Sequence, residues 1–288
     1  MPAQILDGRK RAQEIKQALA DEIGSLKKTF NKAPKLAVLR TTEDPASSSY
    51  INSQKKTAEE IGIEYELVDI ERTRSENTLI FTIGDLNLQD SVSSVIVMRP
   101  IPKDFDVQKI YSAISPFKDA EGLHVENTGR IFFKDYRIVP PTAAAVMELI
   151  KLSDIELYGK EAVVISHSNI VGKPLSILLV NEMATVSVCH IATSEANKLK
   201  AYVNKAEVLV VAAGEPNLVK GEWIREGAVV IDVGISKVGD SIVGDVEFES
   251  ASQKASYITP VPGGVGPLTT AMLMRNCLNC FKLGRGIG

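Results

Sequence analysis

The chain has 288 residues, 44% of them hydrophobic and 24% charged, with a formal net charge of −3. That length favours two domains over a single core, and the ordinary composition excludes a disordered chain or a membrane protein. A near-neutral balance with no basic cluster argues against nucleic-acid and membrane-surface partners and leaves a small molecule as the ligand.

The first ten residues lack the apolar core of a secretory signal, and no apolar run is long enough to span a bilayer, so a cytoplasmic location is expected. Three cysteines, Cys189, Cys277 and Cys280, suit a reducing compartment. The lone Cys277-x-x-Cys280 pair has no second Cys or His pair beside it and does not read as a metal or redox site.

In chain order, Ala12, Ile15, Leu19, Ile23 and Leu26 recur at helical spacing, and Leu36 to Leu39 reads as a short buried strand. A polar turn from Thr41 to Tyr50 then leads into a helix through Ile51, Ala58 and Ile61, and loops between strand and helix are where α/β proteins keep their sites. Strands are expected over Tyr65 to Ile70 and Val92 to Met98, with a helix over Leu79, Ile80, Ile83 and Leu86 between them.

The second of these strands ends in Arg99-Pro100-Ile101-Pro102, and a polar loop from Lys118 to His124 follows a further helix. Arg99 reads as a surface residue at a strand end; its alternative is a bidentate contact with a substrate carboxylate. Thr142 is placed to N-cap a helix through Val146, Leu149 and Ile150.

Beyond this helix the apolar runs Ala162 to Ile165, Thr185 to Val188, Val208 to Ala212, Val229 to Val233 and Tyr257 to Ile258 alternate with helical segments. This is the pattern of a doubly wound parallel sheet. The expected fold is therefore α/β. An N-terminal α/β catalytic domain covers residues 1–140, completed by a C-terminal helix over 268–288, and a Rossmann-type domain covers 141–267.

After Ala162 to Ile165 comes the turn Ser166-His167-Ser168-Asn169-Ile170-Val171-Gly172-Lys173-Pro174, where such a fold seats a pyrophosphate on a helix N-terminus. It is not G-x-G-x-x-G, because Gly172 is its only glycine. Ala212-Ala213-Gly214-Glu215-Pro216 and Asp232-Val233-Gly234-Ile235 also stand at strand ends, the ligand-binding edge of these sheets.

After the second strand, Cys189-His190-Ile191-Ala192-Thr193 offers neither a carboxylate for a ribose 2′-hydroxyl nor an Arg or Lys for a 2′-phosphate. Of NAD and NADP, NAD is favoured. His124, His167 and His190 fall on three separate loops, with no spacing for a metal site. Asp240, Asp245 and Glu247 read as an acidic surface.

The run Tyr257 to Thr270 carries Pro260, Pro262 and Pro267 among Gly263, Gly264 and Gly266. Such a backbone is stiff and bare, able to approach a flat or anionic ligand closely. Pro267 falls in the first turn of a helix through Ala271, Leu273, Met274 and Leu278.

Asp44 to Tyr50, Asn169 to Pro174, Asp232 to Ile235, Val243 to Val246 and Thr259 to Thr269, taken together and in order, resemble the bifunctional methylenetetrahydrofolate dehydrogenase/cyclohydrolase family, FolD. The resemblance runs the length of the chain. It implies a homodimer whose subunits hold a tetrahydrofolate one-carbon substrate in a cleft between the two domains. It also implies two reactions: oxidation of methylenetetrahydrofolate by NAD(P)+ to the methenyl cation, and hydrolysis of that cation to 10-formyltetrahydrofolate.

By the same resemblance Tyr50 packs on the folate, Glu121 contacts its pterin ring, and the Pro260 to Pro267 loop, with Pro262, Gly263 and Gly264, lines the substrate site beside the nicotinamide. Thr269 and the strand-end residues Ser166, His167, Ser168, Ile170, Val171, Gly172, Ile191, Ala213, Gly214, Gly234 and Ile235 line the cofactor site. The departures are informative. Gln54 stands where the family has its catalytic lysine, four residues after the tyrosine and on the same helix face, while Lys55 and Lys56 turn away.

Met98 replaces a glutamine, Arg99 an apolar residue and Glu121 an aspartate; Ser166 and His167 stand for glycine and arginine, and Ile191 for a basic or hydroxyl residue. With Gln54, Tyr50 and Glu121 as the catalytic set, a dehydrogenase with doubtful cyclohydrolase activity is expected. The alternative is a catalytically impaired folate- or nucleotide-binding paralogue acting as a regulatory or heteromeric partner.

Overall fold

A computed structural model describes residues 2–42, 44–70 and 75–287, with Pro45 and Ala46 described in backbone only; Glu43 of the expected polar turn lies outside these residues. In chain order the elements are β1 (Gln4–Ile5), α1 (Gly8–Phe30), β2 (Lys35–Arg40), α2 (Pro45–Ile61), β3 (Glu64–Asp69), α3 (Glu76–Leu88), β4 (Ser94–Val97), α4 (Val107–Ala113), α5 (Val125–Phe132) and α6 (Pro141–Lys151). They continue as β5 (Glu161–Ile165), α7 (Gly172–Asn181), β6 (Thr185–Cys189), α8 (Ile191–Glu195), α9 (Leu199–Lys205), β7 (Val208–Val211), β8 (Val229–Asp232), β9 (Ser236–Val238), β10 (Ser241–Val243), α10 (Phe248–Ala251), β11 (Tyr257–Ile258) and α11 (Val265–Leu283).

The chain divides into two compact units, one formed by Met1–Ala12 with Thr142–Thr269, the other by Gln13–Pro141 with Thr270–Gly288. In the first unit six strands run parallel in the order β1-β11-β8-β7-β5-β6. β7 and β8 are buried at every residue, as strands covered on both faces must be, and this is why they read as unbroken apolar runs. The edge strand β6 is instead partly open, with only Cys189 buried. Because β6 and β7 lie on opposite sides of β5, the winding reverses between β5 and β7, and ligands of such sheets bind beyond the strand ends at that reversal.

The second unit holds a parallel sheet β3-β2-β4. Its core gathers Leu36 and Val38 of β2, Ile51 and Ala58 of α2, Ile96 of β4 and Leu273, Met274 and Cys277 of α11. Near these, the buried Asn276 donates through Nδ2 to the carbonyls of Ala120 and Val139 at 2.8 and 2.7 Å, tying the Lys118 to His124 loop to α11.

Thr142 does not N-cap α6. The helix begins one residue earlier, at Pro141, whose fixed φ and missing N–H suit a first helical position. Among the described residues, no helix is long and apolar enough to cross a membrane. The cysteines are free and buried.

Candidate functional site

Within the second unit, α2 presents Tyr50 and Gln54 on one face, and Lys55 and Lys56 lie exposed on the other. Gln54 is fully buried. Its Oε1 accepts from the Tyr65 hydroxyl at 3.0 Å, and its Nε2 lies 3.9 Å from the Met98 sulfur. A solvated, exchangeable position for this side chain is thereby excluded. Tyr50 as a whole keeps 36% exposure, yet its hydroxyl is enclosed among Gln54, Glu121, Thr270 and Arg99, and burial pushes its pKa up.

Arg99 is not a surface residue. Its side chain is half-buried, with Nε donating to the Tyr111 hydroxyl at 3.2 Å and the guanidinium 5.9 Å from the centre of that ring. Glu121 is the charge it faces, and this attraction, with the tyrosine, outweighs burial and raises its pKa. The Glu121 carboxyl is pushed up to about 7, chiefly by burial and further by Asp119, against the opposing pull of Arg99 and a hydrogen bond from the Val97 amide. Glu121 Oε2 is buried with no hydrogen-bond partner, an acceptor left open inside a polar cluster. Burial also lifts Tyr111 to about 12. The cluster is thus an amide, three phenols, the Arg99 guanidinium and one carboxyl poised near neutrality.

Within the first unit, the turn after β5 folds on its own hydroxyls. Ser168 Oγ accepts from the amides of Val171 and Gly172 at 3.2 and 3.4 Å, and the Ser166 Oγ lies 3.2 Å from it. Ser166 is buried, so the side chain replacing the family glycine turns into the loop and does not project from it. Gly172 admits no substituent: a Cβ there would lie 2.1 Å from the Ser166 carbonyl oxygen. The His167 and His190 rings, expected on separate loops, meet edge to face at 5.6 Å. His124 instead caps α5, accepting from the Glu126 amide.

Around the same strand ends, Gly214 adopts φ 71°, and Ile191 and Ile235 are each 68% exposed, large aliphatic groups left open where such sheets take up ligands. Asp245 does not belong to an acidic surface; it is fully buried and accepts from the amides of Ala213 and Gly214. The proline-glycine loop is equally tight. Gly263 has φ 119°, a Cβ on Gly264 would lie 2.8 Å from the Pro260 oxygen, and Gly8 presses on Gly264 so closely that its Cβ would fall 1.7 Å from that carbonyl. Val261-Pro262 and Arg99-Pro100 are cis. Thr269 turns its hydroxyl back to the Val265 carbonyl. Pro262 is exposed.

Tyr65 and Tyr111 escape sequence reasoning as site residues, because each is a single aromatic residue with no local pattern. Asp245 carried a usable signal, its place in Val243-Gly244-Asp245-Val246. Among the described residues no group of three or more His, Cys, Asp or Glu is arranged to hold a metal ion.

A nucleotide-type parallel sheet in one unit and a buried phenol–amide–carboxyl cluster in the other define a dinucleotide-linked α/β protein. Residues 6–121 match the family model described as tetrahydrofolate dehydrogenase/cyclohydrolase, catalytic domain, and residues 140–285 the one described as tetrahydrofolate dehydrogenase/cyclohydrolase, NAD(P)-binding domain. The chain belongs to the tetrahydrofolate dehydrogenase/cyclohydrolase family.

The bifunctional protein FolD of Acetivibrio thermocellus is 46% identical over 284 residues, 98% of each chain. Among solved structures, the Trypanosoma brucei methylenetetrahydrofolate dehydrogenase-cyclohydrolase (FolD), complexed with NADP cofactor and inhibitor, superposes with a TM-score of 0.93 at 38% identity, covering 98% of both chains. The NAD-dependent methylenetetrahydrofolate dehydrogenase of Saccharomyces cerevisiae gives 0.82 at 25% identity, again over 98% of both.

Proposed function

We propose that this chain is an NAD(P)-dependent methylenetetrahydrofolate dehydrogenase in which hydrolysis of the methenyl product is lost or slow. The observation that carries this reading is Gln54, buried beside Tyr50 where the family resemblance places a lysine. When bound, the nicotinamide ring supplies the acceptor for the hydride leaving the methylene carbon. That departure is driven by the lone pair of the adjacent folate nitrogen, so the protein's task is to orient rings.

Tyr50 offers a ring face with its hydroxyl held by Gln54 and Thr270. Glu121, with Oε2 unpartnered, offers an acceptor for pterin N–H groups. Hydrolysis asks for more, because water must lose a proton while a ring nitrogen gains one. The Gln54 amide does not titrate, and the loss of general acid–base help costs about 10² to 10⁴ in rate.

The turn after β5 is read as the pyrophosphate seat, since Ser166 turns inward and Gly172 lets α7 start directly against the Ser166 carbonyl. The lack of Arg or Lys in the run Cys189 to Thr193 favours NAD over NADP. The reading extends to a homodimer in the cytoplasm, consistent with free buried cysteines.

The test is turnover of methylenetetrahydrofolate with NAD+ and NADP+ in separate assays, following methenyl and 10-formyl products independently. Accumulating methenyl product, faster with NAD+, is expected; Gln54→Lys should then raise methenyl hydrolysis by about 10²-fold or more. Hydrolysis at the rate of hydride transfer in the parent protein defeats the reading. Folate binding without reduction of either nucleotide would establish the non-catalytic paralogue instead.

A further inference from the structure

The ends of β7 and β8 are bound together by two buried carboxylates that no step of the chemistry uses. Asp245, after β10, is fully buried, and its Oδ2 accepts from the amides of Ala213 and Gly214 at 2.7 and 2.8 Å. Its Oδ1 has no partner. Asp232, the last residue of β8 and 3% exposed, accepts at Oδ1 from Gly234 and Asp245 at 2.9 and 3.0 Å, and at Oδ2 from Val246 at 2.9 Å.

Both carboxylates are walled in by glycines. A Cβ on Gly234 would lie 2.3 Å from Asp245 Oδ1, and one on Gly244 would lie 2.0 Å from Asp232 Oδ2. Gly234 and Gly244 therefore cannot be replaced without displacing a carboxylate. Gly214 is the opposite case, since its Cβ direction meets nothing within 4 Å. The amide of Gly214 is tied inward while its outer side is open to a ligand.

Two buried acids are costly to retain, and here their oxygens accept from five backbone N–H groups. Those five amides belong to two strand-end turns and the segment after β10. What the arrangement accomplishes is directional: it sets which way the Ala213–Gly214 peptide presents itself beyond β7, on one side of the reversal between β5 and β7.

We propose that Asp245 is a positioning residue for nucleotide binding, holding the Ala213–Gly214 turn in the conformation that receives the cofactor, with Asp232 fixing Asp245 in turn. The inference rests on the nucleotide site assigned above. Asp245→Ala frees both amides and should raise Kd and KM for NAD+ about 10- to 100-fold, the loss expected for charge-assisted hydrogen bonds, with KM for the folate substrate unchanged and kcat within threefold. Asp245→Asn should restore NAD+ affinity to within threefold of the parent, because its carbonyl can take the place of Oδ2 and its amide nitrogen that of the unpartnered Oδ1.

Where Asp245→Ala does not fold, Asp245→Ser, which keeps a short acceptor, is expected to weaken NAD+ binding by an intermediate factor. Unchanged NAD+ affinity in the Ala or Ser variant overturns the proposal. So does a loss shared equally by both KM values that asparagine does not rescue, which would mark a structural role alone. Failure of the parent protein to bind either nucleotide would instead defeat the functional assignment, and is told apart by measuring the parent first.

Discussion

At Glu121 the chain holds one carboxyl that burial keeps near neutrality, and the cost of that placement can be read from pH. Its pKa stands at about 7 in the folded protein against 4.5 for the free group. The folded state therefore holds the proton more tightly than the unfolded state. The stability linked to this group is complete below 4.5 and is lost as pH rises through about 7, a difference on the order of 3 kcal/mol. Asp232 acts with the same sign, its pKa raised from 3.8 to about 6 chiefly by burial.

Thermal denaturation should accordingly give a higher Tm at pH 6 than at pH 8. Glu121→Gln should remove much of that slope, raise stability at pH 8 and weaken folate binding at least tenfold. A Tm independent of pH over this range in the parent would show that Glu121 ionises freely and is not enclosed. The same cluster explains why Gln54 is tolerated: an amide meets the Tyr65 hydroxyl without bringing a charge into a site that already contains Arg99 and Glu121.

Among the elements, the strand-to-helix turn after β5 lacks the G-x-G-x-x-G pattern and is held by its own hydroxyls. Ser168 supplies hydroxyl acceptors to two amides, and Gly172 keeps the one backbone approach that no side chain permits. Gly172→Ala should therefore force the turn open, destabilising the protein by about 1–3 kcal/mol and weakening nucleotide binding at least tenfold. Denaturant unfolding and a binding titration measure both. An unchanged midpoint would mean that the turn relaxes freely.

The contrast between this glycine and Ser166 also shows what sequence can and cannot convey. β5, β7 and β8 are legible because strands buried on both faces must be apolar throughout, and α1 and α11 because their apolar residues recur at helical spacing. Tyr50 and Gln54 are legible together because i, i+4 places them on one helix face. Arg99 is not, since a charged residue beside a strand end reads as solvated until tertiary structure supplies Tyr111 and Glu121, and Asp245 shows only its place in Val243 to Val246, not the two backbone amides it holds. Thr142 misleads for a local reason: a cap residue and a proline compete for the same helix start, and Pro141 takes it.

For the whole molecule, the nucleotide is assigned to the first compact unit, while Tyr50, Gln54 and Glu121 of the folate site lie in the second, so the two ligands should protect different segments of the chain. A ligand that binds only the folded state stabilises it by about 2.7 kcal/mol at 100 times its Kd. NAD+ alone should therefore raise Tm and slow hydrogen exchange at the carboxyl ends of β5, β7 and β8, at Ser166 to Gly172, Ala212 to Gly214 and Asp232 to Ile235. A folate analogue alone should slow exchange in α2 around Tyr50 and Gln54 and in the loop carrying Glu121. Hydrogen-exchange mass spectrometry on the intact protein separates the two patterns. Protection by NAD+ confined to residues 13–141 would place the nucleotide on the wrong sheet. That result would undo the assignment made from the winding reversal, because strand order, more than any glycine pattern, is what locates the cofactor in this chain.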